Sequence, residues 1–200
     1  MRTNELFKIL DNEQIPYAVI EGEYDAGSYE IEDQSFISDL DVVLQANSKQ
    51  IIRVLRNHKG FDYLGGYSFR DNAVDIRIDL YFYTLNVGYY HFLSVDADSF
   101  DKQKLSKEEY IIYQILDPLL KFSEYYPRHQ FRLEKYFSFE LTKIVRVKLD
   151  AILGKFLSTI LLSKIKRKDF EISKQFIKMC KLRLLFINGN FVKMLKSRIF

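Results

Sequence analysis

The sequence lacks the paired cysteines and long apolar segments that cross-link small proteins or anchor them in membranes. It has one cysteine, Cys180, in 200 residues, which excludes an intramolecular disulfide and a cysteine-based zinc site. We expect Cys180 to be a core residue. The N-terminus lacks the apolar stretch of a signal peptide, and no run reaches about 18 apolar residues. We therefore expect no membrane-spanning helix and a reducing, cytoplasmic location.

Charge is unevenly spread along the chain, although the overall net charge is only +3. Residues 1–117 carry 11 Lys/Arg against 21 Asp/Glu, a net charge of −10, whereas residues 118–200 carry 19 against 6, a net charge of +13. Halves of opposite sign indicate two structural units that attract each other or share an anionic ligand. Simple neutralisation where the halves meet is the alternative.

The first half alternates between helical and strand patterns. Leu6, Ile9 and Leu10 share one face of a first predicted helix, and a strand at 17–21 ends at Gly22. An acidic loop precedes the second strand. The predicted elements are helices at 3–13 and 48–58, the latter capped by Ser48, and strands at 17–21, 38–44, 61–69 and 73–83, followed by an irregular stretch at 84–105.

From Ser106 onward the apolar period is helical. Ser106 and Glu109 have the spacing of a capping box, and no strand pattern follows. The fold class predicted is α+β, with a small mixed sheet flanked by helices and then an all-helical region, divided into domains 1–105 and 106–200. Helices are predicted at 106–117, 128–149, 151–165 and 169–186, with a short one after Gly189.

The candidate chemistry lies at Asp39-Leu40-Asp41. In a strand, residues i and i+2 project from one face about 6 to 7 Å apart, so both carboxylates can bind one divalent ion or bridge two. Asp79, on a later strand, can supply a third carboxylate or act as a general base. Two adjacent carboxylates repel each other, and a cation offsets that repulsion. The sequence therefore predicts a Mg²⁺ or Mn²⁺ site at these acids.

Two neighbours of Asp79 leave alternatives open. Arg77 lies on the face of Asp79 and either contacts a phosphate or pairs with Asp75 and Asp79, and pairing is favoured. Asp75 competes with Asp79 as the third acid, and Asp79 is preferred because it lies deeper in the apolar strand.

These residues together resemble a known family. The stretch Ala18-Val19-Ile20-Glu21-Gly22, the motif Ser38-Asp39-Leu40-Asp41-Val42-Val43-Leu44 and Asp79 in Ile76-Arg77-Ile78-Asp79-Leu80 match the layout of the nucleotidyltransferase superfamily of the DNA polymerase β type. The order of elements matches over residues 1–105 and only loosely beyond. More narrowly, the chain looks like bacterial family members encoded among surface-polysaccharide genes, which also carry a helical segment after this domain.

The resemblance implies an enzyme that uses Mg²⁺ to move a nucleoside monophosphate from a nucleoside triphosphate, such as ATP, to an acceptor hydroxyl. It implies metal and catalytic roles for Asp39, Asp41 and Asp79, and nucleotide contacts from Ser38 and Arg77. The family's phosphate-binding glycine corresponds either to Gly22, which is followed here by Glu23, or to Gly27-Ser28. The acceptor is then a sugar-related or other small molecule.

A second hypothesis is that the chain is a catalytically inactive binding module on the same fold. The acidic loop would close the pocket, and the basic helical half would bind an anionic partner. The segment 151–165 and the run Lys164-Ile165-Lys166-Arg167-Lys168 suggest peripheral contact with an anionic membrane. Electrostatic contact with nucleic acid is the alternative, and it is disfavoured because no stacking platform or base-reading motif is present. Arg128, His129 and Arg132 begin a basic helix, and His129 is expected at a surface or interface.

Overall fold

The computed structural model describes residues 4–21, 39–137 and 139–187. Within these ranges helices and strands alternate in the first half, and helices alone follow. The strands are β1 (Tyr17–Glu21), β2 (Asp39–Leu44), β3 (Phe61–Gly65), β4 (Ser68–Asp71), β5 (Ile76–Phe82), β6 (Thr84–Val87) and β7 (Tyr90–Ser94). The helices are α1 (Asn4–Asn12), α2 (Ser48–Arg56), α3 (Ala97–Asp101), α4 (Lys107–Lys121), α5 (Pro127–Tyr136), α6 (Phe139–Leu153), α7 (Lys155–Lys166) and α8 (Lys174–Ile187).

The sheet is mixed, with the strand order β1-β2-β5-β4-β3. β2 and β5 run parallel, whereas β1–β2, β4–β5 and β3–β4 are antiparallel. β6 pairs with β5 and with β7. Parallel strands need a crossover connection, and α2 lies within the one between β2 and β5. These observations confirm the predicted α+β class, with a mixed sheet flanked by helices and a helical region after it.

One face of the sheet is covered by α1 and α2, because alternate strand residues and one stripe of each helix are apolar. Leu6 and Leu10 of α1 and Ile51 and Leu55 of α2 are almost fully buried there. Asn47, not the predicted Ser48, caps α2, since its side chain accepts a hydrogen bond from the Lys49 N–H. The strands add Tyr17, Val19, Leu40, Val42, Leu44, Phe61, Phe69, Ile78 and Leu80.

Two expectations for the middle of the chain were wrong. The stretch 61–69 is a hairpin of two strands, since Gly65 and Gly66 adopt φ values of 112° and 58° that reverse the chain. The stretch 84–105, expected to be irregular, contains β6, β7 and α3. Asp75 lies in the β4–β5 turn with φ 54°, just before β5 begins.

The described residues form two compact units. The first runs up to Thr84 and includes Ser94–Ser106; the second contains Leu85–Leu93 and the residues from Lys107 onward. Compactness does not test whether either part folds alone, so the domain boundary at residue 105 stays a prediction.

The second unit is built around α4, whose residues from Glu109 to Leu120 are all buried. Helices α5, α6 and α8 pack against it. The Tyr125 hydroxyl donates a 2.7 Å hydrogen bond to the carbonyl of Ile115. Cys180 is a buried free thiol, as expected, and burial raises its pKa to about 12.

The single helix predicted at 128–149 is two helices, α5 and α6. The chain leaves the helical conformation at Phe137, where ψ is 75°. In the described ranges, no helix has both the length and the hydrophobicity needed to cross a bilayer.

His129 is buried in the second unit, so the expectation of a surface position was wrong. Its ring lies 6.4 Å from that of Phe122 and 5.9 Å from that of Tyr126. Its Nδ1 atom is buried and has no hydrogen-bond partner in the described part of the chain. Burial, together with repulsion from Arg128 and Lys121, lowers the pKa of His129 to about 4, so the ring is neutral at pH 7.

We predict that acid destabilises the protein partly through His129. The unfolded chain binds a proton near pH 6.5 and the folded chain only near pH 4, so stability is lost as the pH falls through this window. With allowance for partial solvent screening, the loss is on the order of 1–2 kcal/mol. Urea unfolding at both ends of the window should show a smaller acid-induced loss for His129→Gln than for the wild type.

The control for this measurement is His58→Gln, because the His58 ring is partly exposed and lies 3.4 Å from Glu5. That variant should not reduce the acid-induced loss. An equal loss in His129→Gln and the wild type would contradict the prediction.

Candidate functional site

The site is built on the face of the sheet opposite α1 and α2. β2 and β5 are neighbouring parallel strands, and their register pairs Asp39 with Arg77 and Asp41 with Asp79. Residues in register on adjacent strands project from the same face, with the strands about 4.8 Å apart. Leu40 and Ile78, one position along, point into the core. The apolar alternation that buries one face therefore brings these four polar side chains together on the other.

Strand β4 adds a hydroxyl to this group. β4 pairs with the edge of β5 that is away from β2, and its register places Ser68 beside Asp79. The Ser68 hydroxyl donates a hydrogen bond to Asp79 Oδ1. Arg77 Nε donates to the same oxygen at 3.0 Å, and Arg77 Nη2 donates to Ser68 Oγ at 3.2 Å. Asp79 is thus held by a cation and a hydroxyl on one oxygen.

Sequence reasoning missed Ser68. The pattern at 61–69 predicts one long strand, in which nothing separates Ser68 from other polar residues. The signal that could have found it is Gly65-Gly66, a dipeptide typical of hairpin turns. A hairpin turn there makes Ser68 the first residue of a new strand, and that strand then pairs with β5.

The charges of three acids act on Arg77. Partial burial alone would lower the pKa of Arg77, but the hydrogen bond and charge of Asp79, with the charges of Asp39 and Asp41, outweigh it and raise that pKa. One guanidinium therefore lies within electrostatic reach of three carboxylates.

Burial is graded across the site. Asp41 is 8% exposed and the Asp79 side chain 14%, whereas Asp39 is half-buried and the Arg77 side chain is 49% exposed. Three carboxylates and one guanidinium carry a formal charge of −2. Removing acids from water while like charges are adjacent is unfavourable. This residual charge therefore favours a divalent cation or another positive group.

The donor chemistry suits Mg²⁺, which prefers hard carboxylate oxygens. In the described residues, however, no group of three or more His, Cys, Asp or Glu side chains is arranged to hold a metal ion. The Arg77–Asp79 pair occupies one oxygen of the expected third acid. The metal-binding roles of Asp39, Asp41 and Asp79 stay predictions.

The other predicted site residues fall in two groups. Asp75 is separated from the site, since it lies in the β4–β5 turn and pairs with Arg70 at 3.4 Å. The predicted nucleotide-binding residues Gly22, Gly27, Ser28 and Ser38 lie outside the described residues, and their roles stay predictions.

No protein-family model matches this chain, and no curated protein matches it in sequence. Among solved structures, the chain is similar to an antigenic nucleotidyltransferase-like protein from Paracoccidioides brasiliensis. The identity is 12% and the TM-score 0.39, over 86% of this chain and 97% of that one. A likeness this weak carries no argument about function, so the site must be interpreted from its own residues.

We predict that Arg77→Gln destabilises the protein in buffer free of divalent ions. The change removes the positive charge that faces Asp39, Asp41 and Asp79, and we expect a loss of about 1 kcal/mol at low ionic strength. Salt screens the remaining repulsion, so the loss should shrink between about 10 mM and about 300 mM NaCl. Urea unfolding with EDTA present measures both values.

Arg70→Gln is the matched control for this test. Its partner Asp75 has an 82% exposed side chain in a turn, so we expect a smaller loss. Equal losses in the two variants, or no salt dependence in Arg77→Gln, would show that Arg77 does not offset repulsion among the three acids.

Proposed function

We propose that the chain is a nucleotidyltransferase that uses Mg²⁺ or Mn²⁺ to transfer a nucleoside monophosphate from a nucleoside triphosphate to a hydroxyl group. The observation that supports this best is the register of β2 and β5. It sets Asp41 beside Asp79 and Asp39 beside Arg77 on one face of the sheet. Carboxylates that converge from two strands, next to a cation, suit the handling of a metal-bound phosphate ester.

In this proposal each side chain has a distinct task. Asp39 and Asp41 would hold the divalent cation, which when bound would supply positive charge to the phosphates and activate the attacking hydroxyl. Asp79, oriented by Ser68 and Arg77, accepts the proton of the acceptor hydroxyl or adds a carboxylate oxygen for the ion. Arg77 is half-exposed, so its guanidinium can turn from Asp79 to a phosphate oxygen.

The triphosphate-binding residues are proposed from the family resemblance alone. Backbone N–H groups at Gly22, or at Gly27 and Ser28, would contact the phosphates, with Ser38 beside them. The same resemblance suggests a sugar-related acceptor.

A second candidate function is a non-catalytic module on the same fold. The Arg77–Asp79 ion pair favours it, because an acid already neutralised by a guanidinium is less available to a metal or a proton. In that case the acidic face would bind no triphosphate, and an anionic partner would bind the helical half.

We predict that Asp39→Asn/Asp41→Asn abolishes Mn²⁺-dependent binding of nucleoside triphosphates and release of pyrophosphate. Loss of groups that merely orient metal ligands costs about 10- to 100-fold, so loss of two ligands should cost at least about 100-fold. Thermal shift with each of the four ribonucleoside triphosphates and Mn²⁺ measures binding, and a coupled pyrophosphate assay measures turnover.

The matched control is Asp75→Asn, which removes a carboxylate from a neighbouring turn but not from the site. It should retain both the thermal shift and any turnover. If the wild type shows no shift with any triphosphate, the proposed function is wrong. If binding persists in the double variant, the ion and triphosphate bind elsewhere and the roles of Asp39 and Asp41 are wrong.

A further inference from the structure

The basic run at the end of α7 is not the free cationic surface that its sequence suggests. The Lys164 ammonium pairs with Asp169, and the Lys168 ammonium lies 2.6 Å from Glu134. The apolar stripe of the same helix, with Leu157, Leu161 and Ile165, is buried in the second unit. These two ion pairs reduce the positive charge that the run presents.

The exposed sides of α6 and α7 carry large apolar side chains. Val147 is 71% exposed and Phe156 is 70% exposed, and Ile144 is half-exposed. Ile144 and Val147 are three residues apart, so they lie on one side of α6. Such exposure is high for side chains that normally avoid water. We name this surface the α6–α7 face and define it by Ile144, Arg146, Val147, Lys155 and Phe156.

A hydrogen bond connects the two helices of the α6–α7 face, and the charged residues that define the face are basic. The Arg146 guanidinium donates a 3.1 Å hydrogen bond to the Thr159 hydroxyl on the exposed side of α7. α7 contains no Asp or Glu. On α6 the Asp150 carboxylate accepts a hydrogen bond from Ser158, which is buried. The face therefore combines exposed apolar groups with the positive charges of Arg146 and Lys155.

Helix α8, in the same unit, repeats this chemistry. Its sequence also lacks Asp and Glu. Met179, Leu182 and Phe186 are exposed at helical spacing, with basic residues between them. A Cβ placed on Gly154, between α6 and α7, would lie 3.8 Å from the Arg183 guanidinium. The positive charge of α8 thus reaches the α6–α7 junction.

We propose that the α6–α7 face docks on the surface of a bilayer that contains anionic lipids. Val147, Phe156 and Ile144 would enter the boundary between headgroups and acyl chains, while Arg146 and Lys155 meet lipid phosphates and carboxylates. Nucleic acid would satisfy the charges but leave the aliphatic side chains in water. A second copy of this chain would need a surface that is both apolar and acidic.

The test is co-sedimentation of the full chain with vesicles. We expect at least about tenfold stronger partitioning into phosphatidylcholine vesicles with about 30% phosphatidylserine than into phosphatidylcholine alone. Arg146→Glu/Lys155→Glu and Val147→Ser/Phe156→Ser should each weaken binding to the anionic vesicles at least about tenfold. Circular dichroism confirms that the variants are folded.

Matched changes in the other unit serve as controls. Lys49→Glu/Lys59→Glu makes the same change of charge, and Leu64→Ser removes an exposed apolar side chain. Both should bind anionic vesicles as the wild type does.

Three outcomes would overturn the proposal. The first is the absence of binding to anionic vesicles. The second is equal weakening in the control variants, which would indicate unspecific attraction of charge. The third is a dimer in analytical ultracentrifugation, or retention of single-stranded RNA on a filter, that Val147→Ser/Phe156→Ser abolishes while vesicle binding is unchanged.

Discussion

Parallel pairing of β2 with β5 is the constraint on which the candidate site depends. It joins strands separated by α2 and the β3–β4 hairpin, and its register decides which side chains become neighbours. A shift by one residue would turn Asp79 into the core and Leu80 outward. The burial of Ile78 and Leu80 against α1 and α2 opposes such a shift. The stability of the apolar face therefore holds the acids of the opposite face together.

Concentrating acids on one face has an electrostatic cost, and Arg77 offsets part of it. Its guanidinium is bonded to Asp79 and Ser68 and is influenced by Asp39 and Asp41. The arrangement keeps a formal charge of −2 in a place where two of the acids are largely removed from water.

The second unit has a different organisation. Polar groups such as the Tyr125 hydroxyl and His129 are buried around α4, while apolar side chains of α6 and α7 face water. Buried polar and exposed apolar groups are the informative exceptions in a protein. Intramolecular pairs occupy Lys164 and Lys168, so the sequence position of a basic run does not show where positive charge is available. Only the solvent exposure of its side chains distinguishes the α6–α7 face.

Local pattern by itself determined much of this chain. The alternation around Asp39 and Asp41 set their common face, and helical spacing set the inward sides of α1 and α2, because the side-chain direction of a regular element follows from its period. Long-range pairing decided the rest. It alone placed Ser68 beside Asp79 and buried His129. These outcomes depend on which segments meet in three dimensions, and adjacency along the chain does not encode that.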